Sequence, residues 1–219
     1  MHFLSPTQVG TLAAAINERF RCAIITDAYT GLRAGELWAL NVSRIQLRTI
    51  EVVESLSEVG GELQTGPTKT GERRTVSLPR FLAEMLAEHI RRYPSRDGYV
   101  FTAPAGGPVR HHNFVKRHFR HAVEAAGDVP DELRFHDLRH TCAAILIAEG
   151  WSPKQIQQRL GHASIRTTLD RYGHLFEGHD QALLDSLDAT LRENAKSDSD
   201  QIVTKQESVV DLEARRESK

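Results

Sequence analysis

The chain has 219 residues, with 28 Lys and Arg against 29 Asp and Glu, 40% hydrophobic residues and 6% aromatics. That length suits one generous domain, or one domain with a tail, and the net charge of −1 excludes a protein that coats polyanions by bulk positive charge. No apolar run approaches the roughly 18 residues a membrane span needs, and Met1-His2-Phe3-Leu4-Ser5-Pro6 lacks the basic and apolar regions of a secretion signal.

The charge is unevenly spread. Residues 181–219 hold six Lys and Arg against nine Asp and Glu, so the remainder, with 22 against 20, is weakly basic. Any surface that binds an anion must therefore be local. Cys22 and Cys142 both sit in apolar helical patterns and read as buried, reduced thiols of a cytoplasmic protein.

In chain order, Ser5-Pro6 reads as an N-cap with proline at the first helical position, opening an Ala-rich helix to about Arg19. A second apolar helix over 21–30 ends at Gly31, and Leu32–Leu40 restarts as a short helix. Residues 45–54 and 73–78 are rich in Ile, Val and Thr and read as strands, with turns at Gly60-Gly61 and at Lys69-Thr70-Gly71-Glu72. A helix from Pro79 to about Tyr93 follows, then a loop over 94–109 around a short strand Tyr99-Val100-Phe101. Helices are expected at about 110–126, 138–149, 153–160, 164–171 and 180–194, and beyond Asn194 a polar tail is expected to be flexible on its own. The sum is an α+β chain, mainly α-helical, with a small three-stranded antiparallel sheet.

Chemistry concentrates in Phe135-His136-Asp137-Leu138-Arg139-His140-Thr141, read with Leu160-Gly161-His162 and Thr168-Leu169-Asp170-Arg171-Tyr172-Gly173-His174. His136 and Arg139 fall three positions apart on the first turn of a helix, so their side chains point the same way. Imidazole, guanidinium and the free N–H groups of a helix start together favour a phosphate. Alone, an arginine near a helix start is ordinarily an ion-pair partner, and a tyrosine in such a helix an amphipathic cover for the core. His136 and His140 are four apart, as in helical zinc sites, but Arg139 shares their face and no glutamate follows His136 as His-Glu-x-x-His requires. The stretch with Arg110, His112, Lys116 and Arg117, among further histidines, reads as a basic helix, either a face for a polyanion such as DNA or simply a solvated face.

These blocks resemble the catalytic domain of the tyrosine recombinases, the phage integrase family. Thr30-Gly31-Leu32-Arg33-Ala34-Gly35-Glu36-Leu37 resembles the family's first-arginine motif, His136-Asp137-Leu138-Arg139-His140-Thr141 its second block, and Leu160-Gly161-His162 and the Tyr172 block complete the order. Lys69, the one lysine between residues 1 and 115, falls in the turn where the family keeps its lysine. The resemblance covers roughly residues 5–178. It implies the family's fold and a site-specific recombinase that cleaves and rejoins DNA through a 3′-phosphotyrosine, with neither metal nor ATP as cofactor. Arg33 and Arg139 would clamp the phosphate oxygens, and Tyr172 would be the nucleophile. Lys69 would protonate the departing 5′-oxygen, and His162 would donate to a phosphate oxygen. His136 would assist proton transfer at the tyrosine or bond the phosphate, and Glu36 would orient the site from behind.

The implied partner is double-stranded DNA, bound by a tetramer that is monomeric in isolation, with accessory DNA-bending proteins as further candidates and no membrane. The implied setting is the cytoplasm of a bacterial or phage-infected cell. Residues 1–178 are expected to form the catalytic domain, and 179–219 a helix and acidic tail that docks on a neighbouring subunit. The helical DNA-binding domain that usually precedes the catalytic one has no counterpart before Ser5, so a fragment is expected. Rival readings are a DNA-binding scaffold of the same fold without catalysis, a histidine-based metal hydrolase, and a type IB topoisomerase.

Overall fold

Helix α1, Pro6–Ala15, begins as its sequence dictates: the Ser5 hydroxyl accepts from the Gln8 N–H, and the Gln8 side chain accepts in return from the Ser5 N–H. The computed structural model describes residues 1–68, 71, 73–176, 184–185 and 187–191. The helix does not run on to Arg19. Ile16 turns extended, and the Asn17 side chain accepts from the Arg19 N–H to start α2, Glu18–Thr30. An asparagine that bonds the local backbone competes with helix continuation, so the break between the two expected helices falls at Ile16-Asn17 rather than after Arg19.

Helix α2 is the hub. Phe20, Ala23, Ile24 and Ala28 are fully buried, and the helix packs against α1, α4 (Arg80–Arg92) and α7 (Asp137–Ala148). The short α3, Ala34–Trp38, follows its end and drives Trp38 into an aromatic cluster, 4.8 Å from the Phe114 ring and 5.7 Å from that of Phe135. Burial of each such ring contributes about 1.5–3 kcal/mol, which anchors α3 and the arginine just before it.

The sheet is antiparallel with order β1-β2-β5: Ile45–Gln46, Thr49–Val52 and Arg74–Ser77. Register pairs Glu51 with Thr75 and Val52 with Arg74, so Arg74 enters at the sheet's end. Strands β3, Glu54–Val59, and β4, Glu62–Pro67, form a separate hairpin across Gly60-Gly61, both at positive φ. The strand expected at Tyr99–Phe101 is reduced to isolated bridges, Tyr99 to Asn41 and Thr102 to Pro108. Pro108 has no N–H to extend a ladder.

The helix expected over 110–126 is interrupted. Residues His111–Phe114 form α5, Val115–Phe119 a π-helical turn and Arg120–Ala126 α6. Phe114 and Phe119 are both buried. Five positions apart on an α-helix they would diverge by roughly 140°, and the wider π turn brings both to the core. Helices α8, Pro153–Leu160, and α9, Ile165–Tyr172, take N-caps from Ser152 and Ser164.

By contacts the chain separates into two units, Met1–Gly173 and His174–Lys219. In the second, residues 184–185 and 187–191 are helical, with Leu184, Leu187 and Leu191 exposed. The rest of the expected terminal helix, the acidic tail and the residues Lys69, Thr70 and Glu72 lie outside the described residues. Among the described residues no helix is long and apolar enough to cross a membrane. Cys22 and Cys142 are buried and unbridged, and burial pushes their thiols up to about 12 and about 11.

Candidate active site

Two helix C-termini build one arginine cradle. Helices α2 and α8 both end on a left-handed glycine, Gly31 at φ 65° and Gly161 at φ 66°. A left-handed residue after a helix turns the last carbonyls outward, where they lack intrahelical partners. At Gly31 a side chain would also collide with Leu160 and Cys142. Arg139 donates to the carbonyl of Gly31 and, at 2.6 Å, to that of Leu160. Arg33 donates to the Gly161 carbonyl at 2.8 Å, and Arg74 to the Arg159 carbonyl at 3.0 Å. Three consecutive carbonyls at the negative end of α8 thus each receive a different guanidinium, where a cation is favoured.

Glu36 ties two of these arginines together. Its carboxylate accepts from the Arg33 N–H and Nη1, both at 2.8 Å, and from Arg74 Nη1 and Nη2 at 3.0 and 2.6 Å. Burial alone would push this carboxyl up, but the hydrogen bonds and charge of Arg74, then those of Arg33, hold it at about 2. Arg139 is drawn down to about 10 by burial and then by the charge of Arg33, and remains a cation at neutral pH. Asp27 is fully buried, and burial raises its carboxyl well above the usual carboxylate range. Three guanidinium groups thus cluster at this helix end, two of them on the Glu36 carboxylate. An arriving anion at 4 Å gains about 4 kcal/mol per such charge at an effective dielectric near 20.

The tyrosine stands beside this cradle. Ser164 starts α9, and eight residues later the helix ends on Tyr172, whose side chain is fully buried. Its ring lies between two imidazoles, edge-on to His140 at 5.8 Å and stacked on His162 at 6.4 Å. The Tyr172 hydroxyl is 2.8 Å from His140 Nδ1. His162 Nδ1 is 2.9 Å from the Thr168 hydroxyl, one α9 turn before the tyrosine. Burial, then the charges of Arg139, Arg33, Arg171 and Arg74, press His162 down to about 3, so it is neutral near pH 7. Burial also raises the Tyr172 phenol.

The structure thus brings Arg33, Glu36, Arg139, His162 and Tyr172 into one neighbourhood. His136 stands at the solvent edge, 4.8 Å edge-on from the His140 ring, and the imidazole in contact with the tyrosine is His140. Lys69 lies outside the described residues. Arg110 is engaged by Glu58 at 2.6 Å and by the Gly61 carbonyl at 2.7 Å, while His112, Lys116 and Arg117 are exposed. The reading from residues passed over His140, Arg74 and Thr168. The signal for His140 was visible, since it sits four residues after His136, but its orientation toward α9 depends on packing. Among the described residues no three His, Cys, Asp or Glu side chains are grouped to hold a metal ion. A polar cleft of about 500 Å³ opens beside Gly161 and His162, walled by Arg73, Arg74, Gln155, Gln158 and Arg159.

The sequence profile of the phage integrase family matches residues 2–179. The chain belongs to the phage integrase family. It is similar to the ICEBs1 integrase of Bacillus subtilis, 32% identical over 175 residues that cover 74% of this chain and 46% of that protein. The integrase of Mycobacterium phage L5 is 28% identical over 193 residues, covering 84% of this chain and 51% of its own length. The solved structure of the Tn1549 transposon integrase, residues 82–397 with circular intermediate DNA, aligns at a TM-score of 0.73 and 24% identity, over 85% of this chain and 67% of that one. The chain spans about half the length of the curated relatives it matches. As expected of an integrase-family catalytic domain, it is mainly helical with a small antiparallel sheet.

Proposed function

We propose that this chain is the catalytic part of a site-specific DNA recombinase that cuts and rejoins strands through a 3′-phosphotyrosine. One observation carries the reading: a buried phenol stands beside a cradle in which three guanidinium groups exceed the negative charge of their partners. A phosphodiester under attack gathers negative charge on its non-bridging oxygens. Arg33 and Arg139, fixed from behind by helix-end carbonyls and Glu36, are pre-organised to receive it without reorganising during reaction. Guanidinium pairs supply here the positive charge that a metal pair supplies in other nucleases. His162, neutral and held by Thr168, adds a donor to a phosphate oxygen.

Tyr172 attacks phosphorus and displaces the 5′-oxygen. A phenol leaves more readily than an alkoxide, so another strand's 5′-hydroxyl reverses the link, and no ATP is needed because the ester retains the bond energy. Lys69, placed by resemblance, protonates the departing oxygen, and His136 contacts the phosphate from the solvent edge. His112, Lys116 and Arg117 face the duplex backbone. On its site the full protein acts as a tetramer, with residues 179–219 docking on a neighbour and DNA-bending proteins as candidate helpers.

The test is covalent capture. The chain is incubated with a library of nicked duplexes, and complexes that survive detergent are recovered and sequenced. The wild-type chain is expected to yield an adduct, unaffected by EDTA. Tyr172→Phe, which loses only a hydroxyl, is expected to bind DNA equally and form none. An adduct of equal yield from Tyr172→Phe would overturn the reading.

A further inference from the structure

We propose that His140 is a catalytic residue of this chain, taking the hydroxyl proton of Tyr172 as the phenol attacks phosphorus and returning it when the strand is rejoined. This rests on the strand-cleaving reading above and supplies its proton acceptor.

The geometry singles out this imidazole from its neighbours. His140 Nδ1 is 2.8 Å from the Tyr172 hydroxyl, and both side chains are buried. Of the other two nearby imidazoles, His162 turns its Nδ1 to Thr168, and His136 stands outside His140 at the solvent edge. Position on the chain explains the division. His136 is the N-cap of α7 and His140 lies one helical turn further in, where the Tyr172 side chain meets it.

The chemistry suits the place. The groups facing His140 are His136, Asp137 and Arg139 on its own helix and Arg171 and Tyr172 on α9. Burial first, and then the neighbouring positive charge, hold its imidazole at about 4. It is therefore neutral throughout the physiological range, with a lone pair available but only weakly basic until substrate binds. An incoming phosphodiester brings negative charge against Arg139 and Arg171, which strengthens the base as substrate arrives. In the cleavage step the Tyr172 O–H bond breaks and its proton passes to His140 Nδ1. The oxygen forms its bond to phosphorus as the bond from phosphorus to the 5′-oxygen breaks, and that oxygen leaves with the proton of the general acid. Rejoining runs the same transfers backwards, with His140 re-protonating the departing phenolate.

The experiment measures single-turnover adduct formation on a duplex recovered from the capture above. His140→Ala and His140→Asn are compared with the wild-type chain, with folding and DNA affinity measured for each. His140→Ala is expected to slow adduct formation by about 10²–10⁴-fold at unchanged DNA affinity. Added imidazole should restore at least about tenfold of that rate, because a diffusible base can occupy the vacated space. A substrate with a 5′-bridging sulfur, which leaves without a proton, should not rescue it. His140→Asn keeps polarity and approximate volume, and should be slowed to a similar degree, so it carries the test if His140→Ala fails to fold. An unchanged or faster rate in a folded His140 variant would overturn the proposal, showing that the hydrogen bond only restrains the phenol. Full rescue by bridging sulfur would also overturn it, making His140 an acid. Absence of any Tyr172-dependent adduct from the wild-type chain would overturn the strand-cleaving reading itself, and the proposal with it.

Discussion

The chain has two basic regions built from the same residue types, and they store charge in opposite ways. In the cradle at the ends of α2 and α8, Arg139 is 3% exposed and the Arg74 side chain 10%. Each guanidinium there is held by fixed carbonyls, and two of them, those of Arg33 and Arg74, also share one carboxylate. Along α5 and the π turn, Lys116 and Arg117 are exposed, and the side chain of Arg110, 37% exposed, meets an equally open Glu58. Exposed pairs of that kind contribute about 0–1 kcal/mol and fade with salt. A nearly neutral chain thus concentrates positive charge by burying a few arginines rather than by accumulating many.

The largest expected consequence concerns Arg139→Lys. A lysine ammonium cannot span the Gly31 and Leu160 carbonyls and still present two donors to a phosphate. Adduct formation is expected to fall by about 10²–10³-fold, as for loss of one pre-organised donor elsewhere. A near-normal single-turnover rate would erase the distinction between the two regions. Arg74→Ala should act less severely and at one remove, because it leaves Glu36 to Arg33 alone. We expect roughly tenfold slower adduct formation at unchanged DNA affinity. The deficit should narrow on a methylphosphonate substrate, which carries less charge for the clamp to meet. An equal deficit on both substrates would assign Arg74 to folding rather than to the clamp.

Burial in the cradle's neighbourhood also predicts how stability depends on pH. His140 and His162 are held at about 4 and about 3, below the ordinary histidine value of 6.5. As pH falls below about 6.5 the unfolded chain takes up these protons before the folded one does, so stability declines toward the folded values. Each histidine contributes a slope of up to about 1.4 kcal/mol per pH unit in that window. Glu36, held at about 2 against an ordinary 4.5, extends the loss at lower pH, while buried Asp27 works in the opposite direction. Urea unfolding at pH 7, 6 and 5 measures the slope, and His162→Asn should flatten it. A slope unchanged by that substitution would mean that His162 titrates normally.

The smallest effects belong to the exposed region. Lys116→Ala and Arg117→Ala should each weaken DNA binding evenly across sequences and reduce the salt slope by about one. The rate of adduct formation from bound complex should not change. A sequence-dependent loss would instead make these residues readers of base edges.

Much of this was written along the chain. Ser5-Pro6 and Gly31 mark helix ends by backbone chemistry that acts over four or five residues, and the structure forms those caps. The fold class was likewise legible from local periodicity, and the ordered blocks around Arg33, Arg139, His162 and Tyr172 from their resemblance to the motifs of the integrase family. Other features were not. That Phe114 and Phe119 both reach the core through a π turn depends on aromatic rings contributed by α2, α3 and the segment before α7. That Arg33, Arg74 and Arg139 meet three consecutive carbonyls of one helix end depends on segments separated by up to 128 positions. Sequence placed two histidines four residues apart and could not say which one faces the tyrosine. The placement of Tyr172 against the His140 side chain, with α9 packed on α8, decided it, because burial, unlike helical spacing, is set by elements distant along the chain.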